Sequence, residues 1–358
     1  MNDYEIIDKR FNKNFNNITF SGFKKTQAKK KFFDSINNSN IEQGNYWCAE
    51  FICAGHFLEV WEYIIEYFSK NIHTGNIKFP FYLDKSINKF INILKTKYVG
   101  EELNLRNNQD IRAIFAEIIC ILCQSNKKPK LEKQKITKDF FNMIEMSHKL
   151  KANNPNYSKN IIKNLDPKEI NICINEFCYA INNKIKLFSH ACFWVDWIIE
   201  YEKLLKSKKQ KLIGSRRSFA PVDDKLQSDV IWILWEAIIN ELNTRDEFIK
   251  KIVNCLLNIF CVRFTPTTKK KRRYLIYFAI YLLTEPINTN IPIATNLEQI
   301  TNVKNNINVI YKQIKKKEQQ PENNYLFHGL SNSKDNSKDN SKDSKIDILN
   351  NLNFIPRQ

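Results

Sequence analysis

The chain has 358 residues, of which 56 are Lys or Arg and 38 are Asp or Glu, so its formal net charge is +18. Hydrophobic residues make up 43% of the sequence and aromatic residues 13%, which excludes a generally disordered chain and predicts a real core. Only 7 Gly and 10 Pro are present, too few for the many tight turns of an all-β protein. The composition favours long helices with short connections, in one large or two ordinary domains.

The first half of the chain opens with a polar stretch, residues 1–20, that is predicted to be a flexible arm. A basic segment from Lys24 to Lys31 follows. Apolar residues at helical spacing then predict helices over residues 45–54, 56–71, 83–97 and 109–124. These elements form a predicted N-terminal helical subdomain, residues 21–125, which ends at a basic linker, residues 126–135.

The second half repeats this pattern and ends in a tail of different composition. Helices are predicted over residues 137–150, 167–183, 189–209, 225–243, 246–263, 269–284 and 297–317. Together they form a predicted C-terminal subdomain, residues 136–318. Residues 319–358 contain a Ser-Lys-Asp repeat without apolar side chains and are predicted to be disordered. The predicted fold class is all-α, with antiparallel helical hairpins in a multi-helix array. The linker allows this array to form two subdomains.

Nine cysteines lie within the apolar helical segments, a pattern typical of reduced thiols in the cytoplasm or nucleus. Three groups of Cys and His have metal-like spacing: Cys48, Cys53 and His56; Cys120 and Cys123; and Cys173, Cys178, His190 and Cys192. Cysteines inside helices usually pack as small hydrophobic residues, so no metal site is predicted. The last group comes nearest to a zinc site.

Motifs for catalysis are missing from the sequence. No GxxxxGK[ST], GxGxxG, GxSxG or HExxH pattern occurs. Asp196 and Glu200, four residues apart on one predicted helix, form a candidate pair for acid–base or divalent-metal chemistry, with pairing to lysine or water as the alternative. We therefore predict a protein that is not an enzyme and that uses no cofactor. Its most apolar run, residues 274–283, is about half the ~20 residues of a membrane span, so no membrane partner is expected.

Basic clusters are the strongest physical signal in the sequence, and four of them occur, at residues 24–31, 127–135, 206–217 and 269–273. The run from Lys269 to Arg273 opens a predicted helix, where the helix dipole is already positive, and this indicates an anionic partner or a nuclear-localisation-type run. Phosphate backbones bind such clusters with little sequence readout, and the alternative is a solvated surface. The candidate nucleic-acid-binding residues are Lys29, Lys30, Lys31, Arg216, Arg217, Lys269, Lys270, Lys271, Arg272 and Arg273.

Two stretches resemble a known but largely uncharacterised family. GNYWCAEFICAGHFLEVWEYIIEYFSKNIHTGN (residues 44–76) and the segment from CFWVDW to WILWE (residues 192–236) resemble proteins of the nucleocytoplasmic large DNA viruses, of the mimivirus and phycodnavirus kind. The resemblance covers most of residues 20–285 and implies a viral protein in the host cytoplasm, nucleus or virion. It implies no catalytic residue. Residues 44–76 are also similar to the helical collar of clamp-loader-like replication ATPases, which implies an oligomerising helical part only.

Two hypotheses for function follow. The first is a non-enzymatic, basic viral protein that associates with nucleic acid in replication or genome packaging. The second is a structural or scaffold component of the virion that acts through contacts with other viral proteins. The oligomeric state stays open between them.

Overall fold

The computed structural model of the protein describes residues 2–98 and 102–319. Within these residues thirteen α-helices are joined by short 3-10 and π-helical turns, and no residue lies in a β-strand; the β pairing is limited to two isolated bridges. The predicted all-α fold class is confirmed. Apart from Gln319, the predicted tail over residues 319–358 lies outside the described residues. No helix in the described part is both long and apolar enough to span a membrane.

The helices follow the predicted order, with α1 added, one predicted helix divided into α11 and α12, and several boundaries changed. Their bounds are α1 (Lys25–Asn37), α2 (Ile41–Cys53), α3 (Phe57–Tyr67), α4 (Phe79–Lys97), α5 (Gln109–Gln124), α6 (Met143–Ser147), α7 (Asn171–Ile181), α8 (Phe188–Ser207), α9 (Ile231–Glu241), α10 (Glu247–Cys261), α11 (Pro266–Lys271), α12 (Arg273–Thr284) and α13 (Leu297–Lys315). The predicted helix over residues 109–124 is observed as α5. Its first turn is capped by the side chain of Asn108, which accepts a hydrogen bond from the backbone N–H of Ile111.

Two predicted elements differ from the observed ones for local reasons. The basic segment 24–31 begins α1, whose buried residues Ala28, Phe32 and Ile36 recur every four positions. The predicted helix over residues 269–284 is interrupted at Arg272, because this side chain turns back to the C-terminal end of α10. There its guanidinium donates hydrogen bonds to the carbonyl oxygens of Phe260 and Val262.

The chain divides into two compact units that are not continuous in sequence. The described part of unit 1 contains residues 2–67, 85–98, 102–126 and 293–319, and unit 2 contains residues 68–84 and 127–292. One division point, after residue 126, falls at the start of the predicted linker. The last helix, α13, was predicted to belong to the C-terminal subdomain, but it packs against α5 and α2 within unit 1.

The arm predicted to be flexible, residues 1–20, is packed onto unit 1 over residues 2–20. Ile6, Phe15 and Phe20 are buried. Arg112 of α5 donates a hydrogen bond to the carbonyl oxygen of Tyr4, and its guanidinium carbon lies 3.7 Å from the ring centroid of Tyr311 on α13. The arm is therefore ordered by apolar burial and by a buried cation that the sequence pattern did not indicate.

Unit 2 is built around α8, which packs against α7, α9 and α12. Trp194 of α8 and both Trp232 and Trp235 of α9 are fully buried in its core. The first half of α8 is almost entirely buried, whereas its last turn, ending at Ser207, is exposed. One end of this helix therefore anchors the core and the other carries the chain to the surface.

Candidate nucleic-acid interface

Positive charge is concentrated in unit 2. Residues 68–84 and 127–292 contain 32 Lys and Arg against 18 Asp and Glu, which gives this unit a formal net charge of +14. Three of the four basic clusters lie within it, in residues 127–135, 206–217 and 269–273. The charge that could attract an anionic partner is therefore mainly a property of this unit.

The densest cluster, residues 269–273, is mostly internal. Lys269 is only 1% exposed, and Arg272 and Arg273 are also buried. Lys269 lies in the last turn of α11, Arg272 at the interruption and Arg273 at the start of α12, and all three side chains turn inward. Lys270 is half-buried and Lys271 exposed. The structure therefore corrects the candidate set here, because three of its five members are packed against the protein and only two are open to a ligand.

Lys269 is the centre of a buried ionic cluster that joins three segments. Its Nζ lies 2.7 Å from a carboxylate oxygen of Glu202, near the end of α8, and 2.7 Å from one of Asp229, which precedes α9. Asp229 also forms an isolated antiparallel bridge with Ile213 in the loop that follows α8. We call Lys269, Glu202 and Asp229 the Lys269 cluster.

Arg217, another candidate, is likewise buried. Two of its guanidinium nitrogens donate to the two carboxylate oxygens of Asp166, and Nε donates to Glu236 at 2.8 Å. Burial alone would raise the pKa of Asp166, but the hydrogen bonds from Arg217 and from two backbone N–H groups outweigh it and lower that pKa. Arg216 is exposed and pairs with Asp224 at 2.7 Å. Of this candidate pair, only Arg216 is accessible.

The candidates on α1 lie in unit 1 and are partly accessible. Lys29 is paired with Glu66 at 2.7 Å. Lys30 and Lys31 are exposed, and the ammonium of Lys31 lies 5.1 Å from the ring centroid of Trp47. This segment offers fewer free cations than unit 2.

Asp196 and Glu200, the candidate acid–base pair, occupy different environments. Asp196 is fully buried and accepts hydrogen bonds from the Arg273 guanidinium, the Tyr277 hydroxyl and the backbone N–H of Gln134. Burial and the charge of Asp196 raise the pKa of Tyr277 well above its ordinary value. Glu200 is partly exposed and pairs with Lys203 at 3.3 Å. The two carboxylates do not meet in one site.

The candidate zinc ligands are also either hydrogen-bonded to another group or buried as thiols. Nε2 of His190 lies 2.9 Å from a carboxylate oxygen of Glu176, which also accepts hydrogen bonds from the backbone of residues 151 and 152. Burial raises the pKa of the Cys178 thiol to about 12, which disfavours the thiolate that zinc requires. Among the residues that the structure describes, no three or more His, Cys, Asp or Glu side chains are grouped to hold a metal ion.

Six lysines lie close in sequence to members of the Lys269 cluster or to Ile213, which bridges Asp229. They follow Glu202 on α8, precede Ile213 in the loop, or follow Lys269 on α11. None of the six forms an ion pair with any carboxylate in the described part of the chain. We call these residues the lysine surface: Lys206, Lys208, Lys209, Lys211 and Lys271, which are exposed, and Lys270, which is half-buried.

The basic linker is attached to α8 through Asp196. Its backbone is fixed, because the N–H of Lys128 donates to the carbonyl of Asn71 at 2.7 Å and the N–H of Gln134 donates to Asp196. Lys133 and Lys135, on either side of Gln134, are exposed. The linker therefore holds two further exposed lysines on a fixed backbone.

The sequence nominated only part of this arrangement. Lys270, Lys271 and Arg216 were in the candidate set and are accessible, whereas the four lysines in the last turn of α8 and just after it were noted only as a cluster. Their signal is the spacing K-x-K-K-x-K at residues 206–211, where an amphipathic helix ends. Such a run cannot lie on the inward face of that helix.

We predict that the Lys269 cluster contributes to stability and not directly to binding. Changing Lys269 to Met keeps the aliphatic stem but leaves two carboxylates without their cation, and should lower the free energy of unfolding by about 1–3 kcal/mol. Lys271→Met, two residues away and exposed, is the matched control and should change it by less than about 0.5 kcal/mol. Urea unfolding followed by circular dichroism measures both, and equal effects would contradict the burial of Lys269.

The site therefore consists of exposed, unpaired lysines on a framework held by buried ion pairs. Such an arrangement can bind an extended anion but presents no cluster of reactive groups among the residues described. Comparison of the chain with protein-family models, with curated proteins and with solved structures finds no match.

Proposed function

We propose that the protein is a non-enzymatic, nucleic-acid-associated factor that binds the phosphate backbone through the lysine surface. One observation supports the proposal above all others. Six lysines that lie close in sequence to the Lys269 cluster have no carboxylate partner among the described residues, whereas Lys269 itself has two. Binding of such a surface to nucleic acid is favourable, because each lysine that neutralises a phosphate releases counterions condensed on the nucleic acid.

The chemistry of this surface favours the backbone over the bases as the binding target. Lysine ammonium groups are point charges that contact phosphate oxygens without the planar, two-pronged geometry with which arginine reads guanine. All six members of the lysine surface are lysines, and Arg216, the accessible arginine beside them, is paired with Asp224. Binding should therefore depend weakly on sequence.

The biological setting of the proposal rests on the resemblance of residues 44–76 and 192–236 to proteins of large DNA viruses. In that setting the protein would act in replication or genome packaging, in the cytoplasm or nucleus of the host. A scaffold role in the virion is the alternative. It would use the same charge for contacts with acidic viral proteins.

Fluorescence anisotropy with two labelled duplexes of unrelated sequence tests the proposal. At 50 mM salt we expect both to bind with dissociation constants within about threefold of each other, because the contacts carry no sequence information. A preference of more than a hundredfold for one duplex would contradict backbone binding. The scaffold alternative expects no measurable DNA affinity near physiological salt, together with recovery of the protein among viral proteins in purified virions.

A further inference from the structure

The loop after α8, residues 208–219, is held rigidly although it lies at the surface. Gly214 donates its N–H to the carbonyl of Ser228 at 2.9 Å, and Arg217 donates its N–H to the carbonyl of Gln227 at 3.0 Å. A Cβ added at Gly214 would meet Asp166 Oδ1 at 3.2 Å, so the chain passes closely over the buried Asp166–Arg217 pair. A surface loop fixed by a buried ion pair is preorganised and unlike an ordinary flexible connection.

This rigid loop presents an apolar side chain among cations. Ile213 is 55% exposed, although its backbone is fixed by the bridge to Asp229. Lys211 lies two residues before it and Arg216 three residues after it, and both are exposed. The ion pair between Arg216 and Asp224 is itself exposed, so exchanging that carboxylate for a phosphate costs little.

We propose that Ile213 is an apolar wedge that enters the minor groove of a DNA duplex between two base pairs, while the lysine surface binds the flanking phosphates. The inference rests on the proposed function and adds its ligand: a duplex, bound in a bent form. Insertion of one aliphatic side chain between base steps, flanked by cations, unstacks the step and kinks the helix. Charge complementarity identifies the occupant, because the exposed cations Lys211 and Arg216 flank Ile213 and its backbone bridges Asp229 of the Lys269 cluster.

The ligand is a duplex because Ile213, the apolar side chain between the two cations, is an aliphatic wedge and not a stacking platform. Single strands bind by stacking bases on aromatic rings, and the one exposed ring of this loop, Phe219, lies six residues away from Ile213. A fixed backbone also matters, since a mobile loop would lose conformational entropy on entering the groove. Gly214 lies next to Ile213, and a side chain at this position would press against Asp166 and displace the turn.

The test uses a 30-base-pair duplex with a donor and an acceptor dye at its two ends. Wild-type protein should raise energy transfer on binding, because a kink shortens the distance between the ends. Ile213→Ser should abolish that rise and weaken duplex binding about tenfold, while binding to a single strand of equal length stays unchanged. Ile144→Ser is the matched control, since Ile144 is 73% exposed on α6, and it should behave as the wild type.

The outcomes separate the wedge from the proposed function. Wild-type protein that binds the duplex without a change in energy transfer, or an Ile213→Ser variant that bends it normally, overturns the wedge and leaves backbone binding intact. Failure of the wild type to bind either nucleic acid at 50 mM salt overturns both. Binding to vesicles with anionic headgroups, lost in Ile213→Ser while duplex binding is retained, would overturn the wedge by assigning Ile213 to a lipid surface.

Discussion

Replacing Asp196 by Ala is expected to lower the free energy of unfolding by about 3–5 kcal/mol. Its carboxylate accepts hydrogen bonds from Arg273, Tyr277 and the backbone of Gln134, and all of its surface is buried. Removing it leaves the Arg273 guanidinium without its counter-charge in the interior, and such an uncompensated charge is among the most destabilising changes known in protein cores. Urea unfolding monitored at 222 nm by circular dichroism measures the effect.

Glu200, one helical turn further on α8, is the matched control. It is partly exposed and pairs only with Lys203, an interaction that contributes about 0–1 kcal/mol at a protein surface. Glu200→Ala should therefore unfold almost as the wild type does. If the two variants lost stability equally, Asp196 would not be the buried centre that joins the linker, α8 and α12. The comparison also separates the two carboxylates that the sequence places on one helix face.

Reversing the four lysines in the last turn of α8 and just after it should have the largest effect on binding. Lys206, Lys208, Lys209 and Lys211 are exposed and unpaired with any described carboxylate, so their change to Glu should leave the fold intact. Affinity for duplex DNA at 0.1 M salt should fall by about 10²–10³-fold, and the slope of log K against log salt should become shallower by about 0.9 for each lost phosphate contact. Anisotropy titrations at several salt concentrations give both quantities.

A comparison across α8 controls for net charge. Lys184 and Lys186 are exposed and precede the helix, while Lys208 and Lys209 follow it, and a helix of 20 residues separates the two pairs by about 30 Å. Reversing Lys208 and Lys209 should weaken binding at least tenfold more than reversing Lys184 and Lys186. Equal losses would indicate that binding follows total charge and not the lysine surface.

Helix periodicity was enough to predict much of the fold, because the spacing of apolar side chains is a local property. The helix α5 was predicted at its observed bounds for this reason. The helix α1 was not predicted, because lysines lie between its buried residues and the segment was interpreted by its charge and not by its apolar spacing. The packing of α13 against α5 could not be predicted, since it depends on contacts between residues almost 200 positions apart.

The candidate site was harder to predict than the fold, because the burial of a lysine depends on carboxylates distant in sequence. Glu202 and Asp229 enclose Lys269 only after α8, α9 and α11 have packed. A basic run looks the same whether its cations point inward or outward. Helical spacing does not separate Lys269, Arg272 and Arg273 from Lys270 and Lys271, because the helix is interrupted at Arg272.

Phosphate binding by the exposed lysines of unit 2 should give a steep salt dependence of duplex affinity. Titrating wild-type protein with one duplex between 50 and 300 mM salt measures it. We expect a straight line of log K against log salt with a slope of about −4 to −6, as five or six lysines release the counterions of as many phosphates. A slope near zero, or no binding even at 50 mM salt, would show that the lysine surface does not bind phosphates.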